Sequence, residues 1–247
     1  MRQQWNQISA TYQARQQIST NDVHYGPWSP PEHELRLLGN LYDKRVLELG
    51  CGGGQCCISF AKKGAHVIGL DASDAQLAFA HTLAATEKVA VEFIQGSAED
   101  LTRWSANSWD IVFSAYTFQY IEQIQTCLAE CYRVLRRGGQ LIFSLDHPVR
   151  ACFFDAEEDE LVLYPVRSYF DNTPFSWIFP ETQVALHTHH YTIAQWLELL
   201  QGQGFRLQRL VEPPPPTALL DEFWPLDSAY AALRNIPQTI IFIAAKE

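Results

Sequence analysis

The 247-residue chain is short of positive charge: 18 lysines and arginines stand against 28 aspartates and glutamates, a formal net charge of -10. It contains no basic run, and a field of this sign repels phosphate backbones and anionic lipid surfaces. Neither nucleic acid nor a membrane is therefore expected as a partner. No apolar stretch approaches the ~20 residues that a membrane span requires. The polar opening Met1-Arg2-Gln3-Gln4-Trp5-Asn6 carries no apolar segment of the kind a secretory signal needs. Six cysteines occur without the paired ligand motifs of a zinc site. They read as reduced structural thiols, with no metal, in a cytoplasmic protein. No internal repeat is visible, and nothing in the sequence bears on oligomeric state.

Apolar residues make up 47% and charged residues 19%, the balance of a globular chain able to bury a sizeable core. Between residues 45 and 145 short apolar runs alternate with helical patterns, which predicts a parallel sheet covered by helices. The expected strands are 45–49, 66–70, 89–95, 109–114 and 140–145. Ser73-Asp74-Ala75-Gln76 has the form of a capping box opening a helix. A later helix, from about residue 121, is expected to end before Gly138-Gly139, where glycine suits a left-handed cap. Residues 151–190 lose the helical period, carry an acidic run at 155–160 and then many aromatics, and read as a small hairpin insertion. Leaving the fifth strand at the ligand-binding edge of such a sheet, this insertion serves either as a lid or as a surface excursion. A helix at 192–201 and strands at 205–211 and 239–245 complete the chain.

The most informative segment is Glu48-Leu49-Gly50-Cys51-Gly52-Gly53-Gly54, where the first strand meets a helix. Glycines there let backbone approach a ligand closely. The dinucleotide fingerprint G-x-G-x-x-G does not fit, because it would need glycine at Gln55. Asp71, ending the second strand, is placed to accept hydrogen bonds from ribose hydroxyls, or merely to flank the next helix. These two blocks, with Gly96-Ser97-Ala98-Glu99-Asp100-Leu101, Trp109-Asp110-Ile111-Val112-Phe113-Ser114 and Arg133-Val134-Leu135-Arg136-Arg137-Gly138-Gly139, occur in one order. Together they resemble the class I S-adenosylmethionine-dependent methyltransferases, in the branch that methylates small molecules.

The resemblance implies a doubly wound, Rossmann-like α/β fold: a seven-stranded, mostly parallel sheet with an antiparallel last strand, an N-terminal cap helix and a lid insertion after strand five. It divides the chain into a cofactor-covering segment at 1–35, an S-adenosylmethionine-binding core at 36–150, a substrate lid at 151–190 and the rest of the sheet at 191–247, one domain overall. By the same resemblance Gly50, Cys51 and Gly52 pack on the methionine portion of the cofactor and Glu48 orients their loop. Asp71 holds the ribose, with Ala72 and Gln76 beside the adenosine. Ser97 or Glu99 takes the place of an aspartate common in the family, while Ala98 and Ser114 offer backbone groups. Tyr12 and Tyr25 belong to the segment folding over the cofactor. The whole reading requires an open crevice above the glycine turn, with Asp71 facing it.

Methyl transfer from a sulfonium is an in-line displacement in which alignment alone lowers the barrier by ~7–11 kcal/mol. A base helps if the acceptor is a hydroxyl or an acidic carbon. His147, just beyond the fifth strand, is the first candidate, and His190, in the group His187, His189 and His190, is the second. Tyr116 and Tyr120 line one side of an acceptor pocket if the chain stays extended there, and Phe118 packs in the core. Two other functions stay open at this point: a non-catalytic cofactor-binding subunit, and a nicotinamide-dependent oxidoreductase.

Overall fold

The protein is described here by a computed structural model covering residues 1–247. Its framework grows from strands whose side chains are buried on both faces, as parallel sheets require. β1 (Arg45–Leu49), β2 (His66–Asp71), β3 (Glu92–Gln95), β4 (Trp109–Ala115) and β5 (Leu135–Asp146) pair in parallel. Later in the chain, β10 (Phe205–Val211) and β11 (Thr239–Lys246) join antiparallel, giving one seven-stranded sheet in the order β10-β11-β5-β4-β1-β2-β3. Alternate residues of each strand go to opposite faces. Leu47, Leu49, Val112, Phe143 and Phe242 enter one core, and Val46, Ile111, Phe113, Ile142 and Ile241 enter the other.

The first core is closed by α5 (Ile124–Val134) and α7 (Ile193–Gly202), and the second by α3 (Gln55–Lys62) and α4 (Asp74–Glu87). In the first core Phe143 stacks between Phe118 and Phe242, each 4.8 Å away. Two helices precede the sheet, α1 (Arg2–Gln16) and the single turn α2 (Glu32–Leu35). After β5 come α6 (Pro148–Cys152), a short hairpin of β6 (Phe154–Asp155) with β7 (Glu160–Leu161), and a longer one of β8 (Phe175–Phe179) with β9 (Val184–Thr188). α8 (Thr217–Phe223) follows β10.

Several local expectations change. α5 ends at Val134, before Gly138-Gly139, and residues 135–146 form one continuous strand. The two glycines sit instead where the β4–β5 register shifts, with Gly138 at φ +74. They bend a strand and do not cap a helix. The insertion is two hairpins and not one. The acidic run forms the turn of the first, where Asp155 accepts from the backbone N–H groups of Glu157 and Glu158. At α4 only half of the capping box forms: Ser73 Oγ accepts from Gln76 N at 3.1 Å, while the Gln76 side chain accepts from Gln13. A full box occurs at α7, between Thr192 and Gln195. No helix is long and apolar enough to cross a membrane.

The connections leave β1 towards β2 and β3 on one side and return on the other as β4 and β5. The carboxyl ends of β1 and β4 therefore flank the topological switch point, where sheets of this kind bind ligands.

Candidate functional site

At that switch point the glycine loop leaves β1 with Gly50, Gly52 and Gly54 at φ +66, +52 and +79, angles that favour glycine. Gly50 N and Cys51 N both donate to Leu70 O, at 2.8 and 3.0 Å, which ties the loop to the end of β2. Asp71 completes the tie. Its Oδ2 accepts from Gly52 N and its Oδ1 from Ser73 N, each at 2.8 Å. One carboxylate thus spans the turn and the start of α4, and each oxygen keeps a lone pair for a further donor. Burial raises the Asp71 pKa, against the pull of these N–H groups.

Glu48 lies buried beneath the loop and accepts from Cys57 Sγ at 2.8 Å. Burial pushes its pKa up to about 8, with the Cys57 hydrogen bond opposing and the Asp71 charge adding to the rise. The loop is only partly open. A side chain at Gly50 would strike Thr117 and one at Gly53 would strike Gln13, whereas at Gly52 the nearest atom is Gln76 Oε1 at 3.9 Å. The open face of the turn is therefore at Gly52, directly beside Asp71.

The roof over this face is α1. Its Gln13, buried, donates from Nε2 to Gln76 Oε1 at 2.7 Å and accepts at Oε1 from Gln55 Nε2 at 2.6 Å. Next to it Tyr12 sits among Trp5, Phe179 and, through Trp5, Tyr120. Burial pushes the Tyr12 hydroxyl up to about 12. α1 and the β8–β9 hairpin thus share one aromatic cluster above the crevice.

The other predicted positions scatter. Cys51 is buried in the loop, Ala72 is half-buried, and Ser114 Oγ donates to Leu49 O at 2.9 Å, pinning β4 to the root of the loop. Past β3, Ser97 Oγ accepts from Glu99 N, and Glu99 Oε1 accepts from Gln123 N, with Ala98 buried between them. Tyr25 is set apart: fully buried, it packs its ring on Phe113 and donates its hydroxyl to Glu32 at 2.6 Å, so it serves the core and not the crevice.

His147 is 2% exposed, and both ring nitrogens are committed. Nδ1 accepts from Val149 N at 3.1 Å as the cap of α6, and Nε2 meets Glu212 at 2.6 Å. Burial lowers its pKa, against the pull of Glu212. With no free lone pair it is a fastener between β5 and β10. His190 is also buried, bonds to Tyr169 O at 2.9 Å, and has its pKa lowered first by burial.

The extended path imagined for 116–120 is replaced by a left-handed residue and a 3₁₀ turn. Tyr116 has φ +56, uncommon for an aromatic residue. Its ring fills the space above Gly26, and its hydroxyl meets Thr239 at 2.7 Å, while Tyr120 rises into the roof. The chain is not extended here, yet both hydroxyls lie within reach of the Asp146 charge. Sequence reasoning passed over Gln13, Thr117, Gln119 and Asp146. Nothing in a polar helix marks Gln13, and the other three declare themselves only once β4 and β5 are adjacent.

The residues fit a nucleoside bearing an amino-acid tail. Gly52 offers backbone contact, Asp71 retains acceptors for a diol, and Gln76 stands at the same opening. Residues 47–143 match the family profile described as a methyltransferase domain. The ubiquinone biosynthesis O-methyltransferase of Hahella chejuensis is 36% identical over 122 residues, 46% of this chain and 51% of that protein. The chain thus spans about half the length of the curated relatives it matches. Among solved structures, a candidate S-adenosylmethionine-dependent methyltransferase from Listeria monocytogenes is 26% identical, with a TM-score of 0.69 over 87% of this chain and 97% of that one. An S-adenosylmethionine-dependent methyltransferase from Mesorhizobium loti shares the fold at 24% identity and a TM-score of 0.69, over 85% and 94%.

Profile, fold and glycine loop agree: residues 47–143 match a methyltransferase domain, and the chain shares its fold with S-adenosylmethionine-dependent methyltransferases.

Proposed function

We propose that this chain transfers a methyl group from S-adenosylmethionine to a small-molecule acceptor, a reaction of class EC 2.1.1. The observation that carries the reading is the double hold of Asp71 on Gly52 and Ser73 beside the one open glycine of the loop. Bound there, the cofactor supplies an electrophilic methyl group on a sulfonium. The chain's own part is to bind, orient and exclude water. Asp71 takes the ribose hydroxyls, Gly50 to Gly52 and Glu48 shape the seat of the methionine, and α1 with Gln13 and Tyr12 closes over it. Alignment in a roofed site suffices for much of the rate. The net charge of -10 and the relationship to an O-methyltransferase of ubiquinone biosynthesis support a small acceptor over a nucleic acid. Six buried free thiols support a reducing, cytoplasmic setting.

Calorimetry with S-adenosylhomocysteine tests the reading. Asp71→Asn is expected to weaken binding at least tenfold, since a charge-assisted hydrogen bond contributes about 1.5–3 kcal/mol. Binding of NADH without binding of S-adenosylhomocysteine would overturn the assignment. Tight binding with no methylation across a broad panel of acceptors would instead favour a regulatory subunit.

A further inference from the structure

With the loop on β1 and Asp71 on β2 assigned to the cofactor, the reacting end of the site falls on the other side of the switch point, at the carboxyl ends of β4 and β5. His147 is fully committed there, but its neighbour is not. Asp146 ends β5 with its side chain 31% exposed. Gln119, 3% exposed, holds it with both ends of its amide: Nε2 donates to Asp146 Oδ2 at 2.9 Å, and Oε1 accepts from Asp146 N at 3.1 Å. A carboxylate that merely ended a strand would turn to solvent and need no buried amide to aim it.

Arg150 stands 3.6 Å from Asp146 Oδ1. It is itself pinned, donating from Nε to Gln238 at 3.1 Å and lying over the Phe154 ring at 4.9 Å. Asp146 also lies close enough to Tyr116 and Tyr120 for its charge to raise both hydroxyl pKa values, second only to burial. Tyr120 leads on to Trp5 of α1 and to Trp177 of the β8–β9 hairpin. The carboxylate thus opens beneath an aromatic roof.

We propose that Asp146 is the acceptor-binding group of this site: it receives the O–H of a flat, neutral, hydroxylated aromatic molecule and takes the proton that the oxygen gives up on methylation. The inference rests on the methyltransferase reading above. In the step, an acceptor oxygen lone pair forms the bond to the methyl carbon as the carbon–sulfur bond breaks. The bonding pair stays on sulfur, and the hydroxyl proton passes to Asp146. The choice of a neutral donor follows from Arg150. The carboxylate already has a fixed cation beside it, so a second cation, such as an alkylammonium, gains little and is repelled. The roof supplies the aromatic surface on which a flat ring packs.

The test uses the full chain loaded with S-adenosylhomocysteine and three probes: 4-methylcatechol, its dimethyl ether and phenethylamine. Calorimetry is expected to show 4-methylcatechol bound at least tenfold more tightly than either other probe. In Asp146→Asn that preference should fall at least tenfold, with affinity for S-adenosylhomocysteine within twofold of the parent. Asp146→Asn keeps an oxygen for Gln119, and the ether comparison needs no variant at all, so a folding defect cannot hide the answer. Equal catechol binding by parent and Asp146→Asn would overturn the proposal. So would a preference for the ether or the amine, no catechol binding, or parallel loss of S-adenosylhomocysteine affinity in the variant. Failure of the parent chain to bind S-adenosylhomocysteine would strike earlier, at the methyltransferase reading itself.

Discussion

On the β1–β2 side of the crevice the walls are drawn largely by main chain. Gly50 and Cys51 amides reach Leu70 O, Gly52 and Ser73 amides reach Asp71, and the open face is an absent side chain at Gly52. On the opposite side and overhead, the walls are side chains: the Gln13 amide, the Trp5, Tyr12 and Tyr120 rings, and the Gln119 clamp on Asp146. Main-chain walls demand particular residue types, glycine and a short acid, at fixed spacing. Side-chain walls can be assembled from many residues, provided that the fold brings them together. The first kind suits a ligand that does not vary, and the second suits one that does.

The contrast extends to energetics, and its largest expected effect lies in the sheet that both halves share. Phe143 is fully buried between Phe118 and Phe242, so Phe143→Ala should cost about 3–5 kcal/mol of unfolding free energy. Phe170 in the insertion is 80% exposed, and Phe170→Ala should fall within about 0.5 kcal/mol of the parent. Urea denaturation of the two variants measures the difference. Similar losses would mean that the insertion belongs to the cooperative core and is not laid upon it.

Next in size is a pH effect confined to the main-chain half. The Glu48 pKa is raised by burial to about 8, from a usual value of 4.5. Between those values the native chain holds a proton that the unfolded chain has lost. Stability from this group is therefore complete below about pH 4.5 and is lost as pH rises through about 8, at no more than about 1.4 kcal/mol per pH unit. Glu48→Gln cannot titrate and should flatten that part of the profile, becoming more stable than the parent by pH 9. Denaturation curves at half-unit intervals would show it. Unchanged slopes in the variant would place the titration elsewhere.

How far the sequence could be read follows the same division. The five core strands, the glycine turn, Asp71 and the cap at Ser73 could all be placed because each rests on a local rule: period, positive φ, strand end. The error at Gly138-Gly139 shows the limit of such rules, since a glycine pair suits a bent strand as well as a helix cap, and only the pairing of Leu135 with Trp109 decides. His147 misled for a similar reason. Its place after β5 is right for chemistry, yet Glu212 lies 65 residues away and takes its free nitrogen. Tyr25 falls in the segment that the resemblance folds over the cofactor, but Glu32 and Phe113 draw it inward. Gln13 carried no local signal, because a glutamine in a polar helix is mute until α4 lies against it.

The smallest expected effect belongs to that glutamine, and it asks whether the side-chain roof is a gate. Gln13 links Gln55 at the start of α3 to Gln76 in α4, so it bridges the two helices that rise from the cofactor side of the sheet. Gln13→Ala removes two neutral hydrogen bonds between buried side chains and should lower stability by about 2 kcal/mol. If α1 must lift for ligand to leave, the same change should speed S-adenosylhomocysteine release several-fold in stopped-flow displacement, with a smaller change in the association rate. Asp71→Asn should act chiefly on affinity and Gln13→Ala chiefly on exchange. An unaltered release rate in a destabilised Gln13→Ala would mean that α1 is a fixed wall and that ligand enters from the side of β8 and β9.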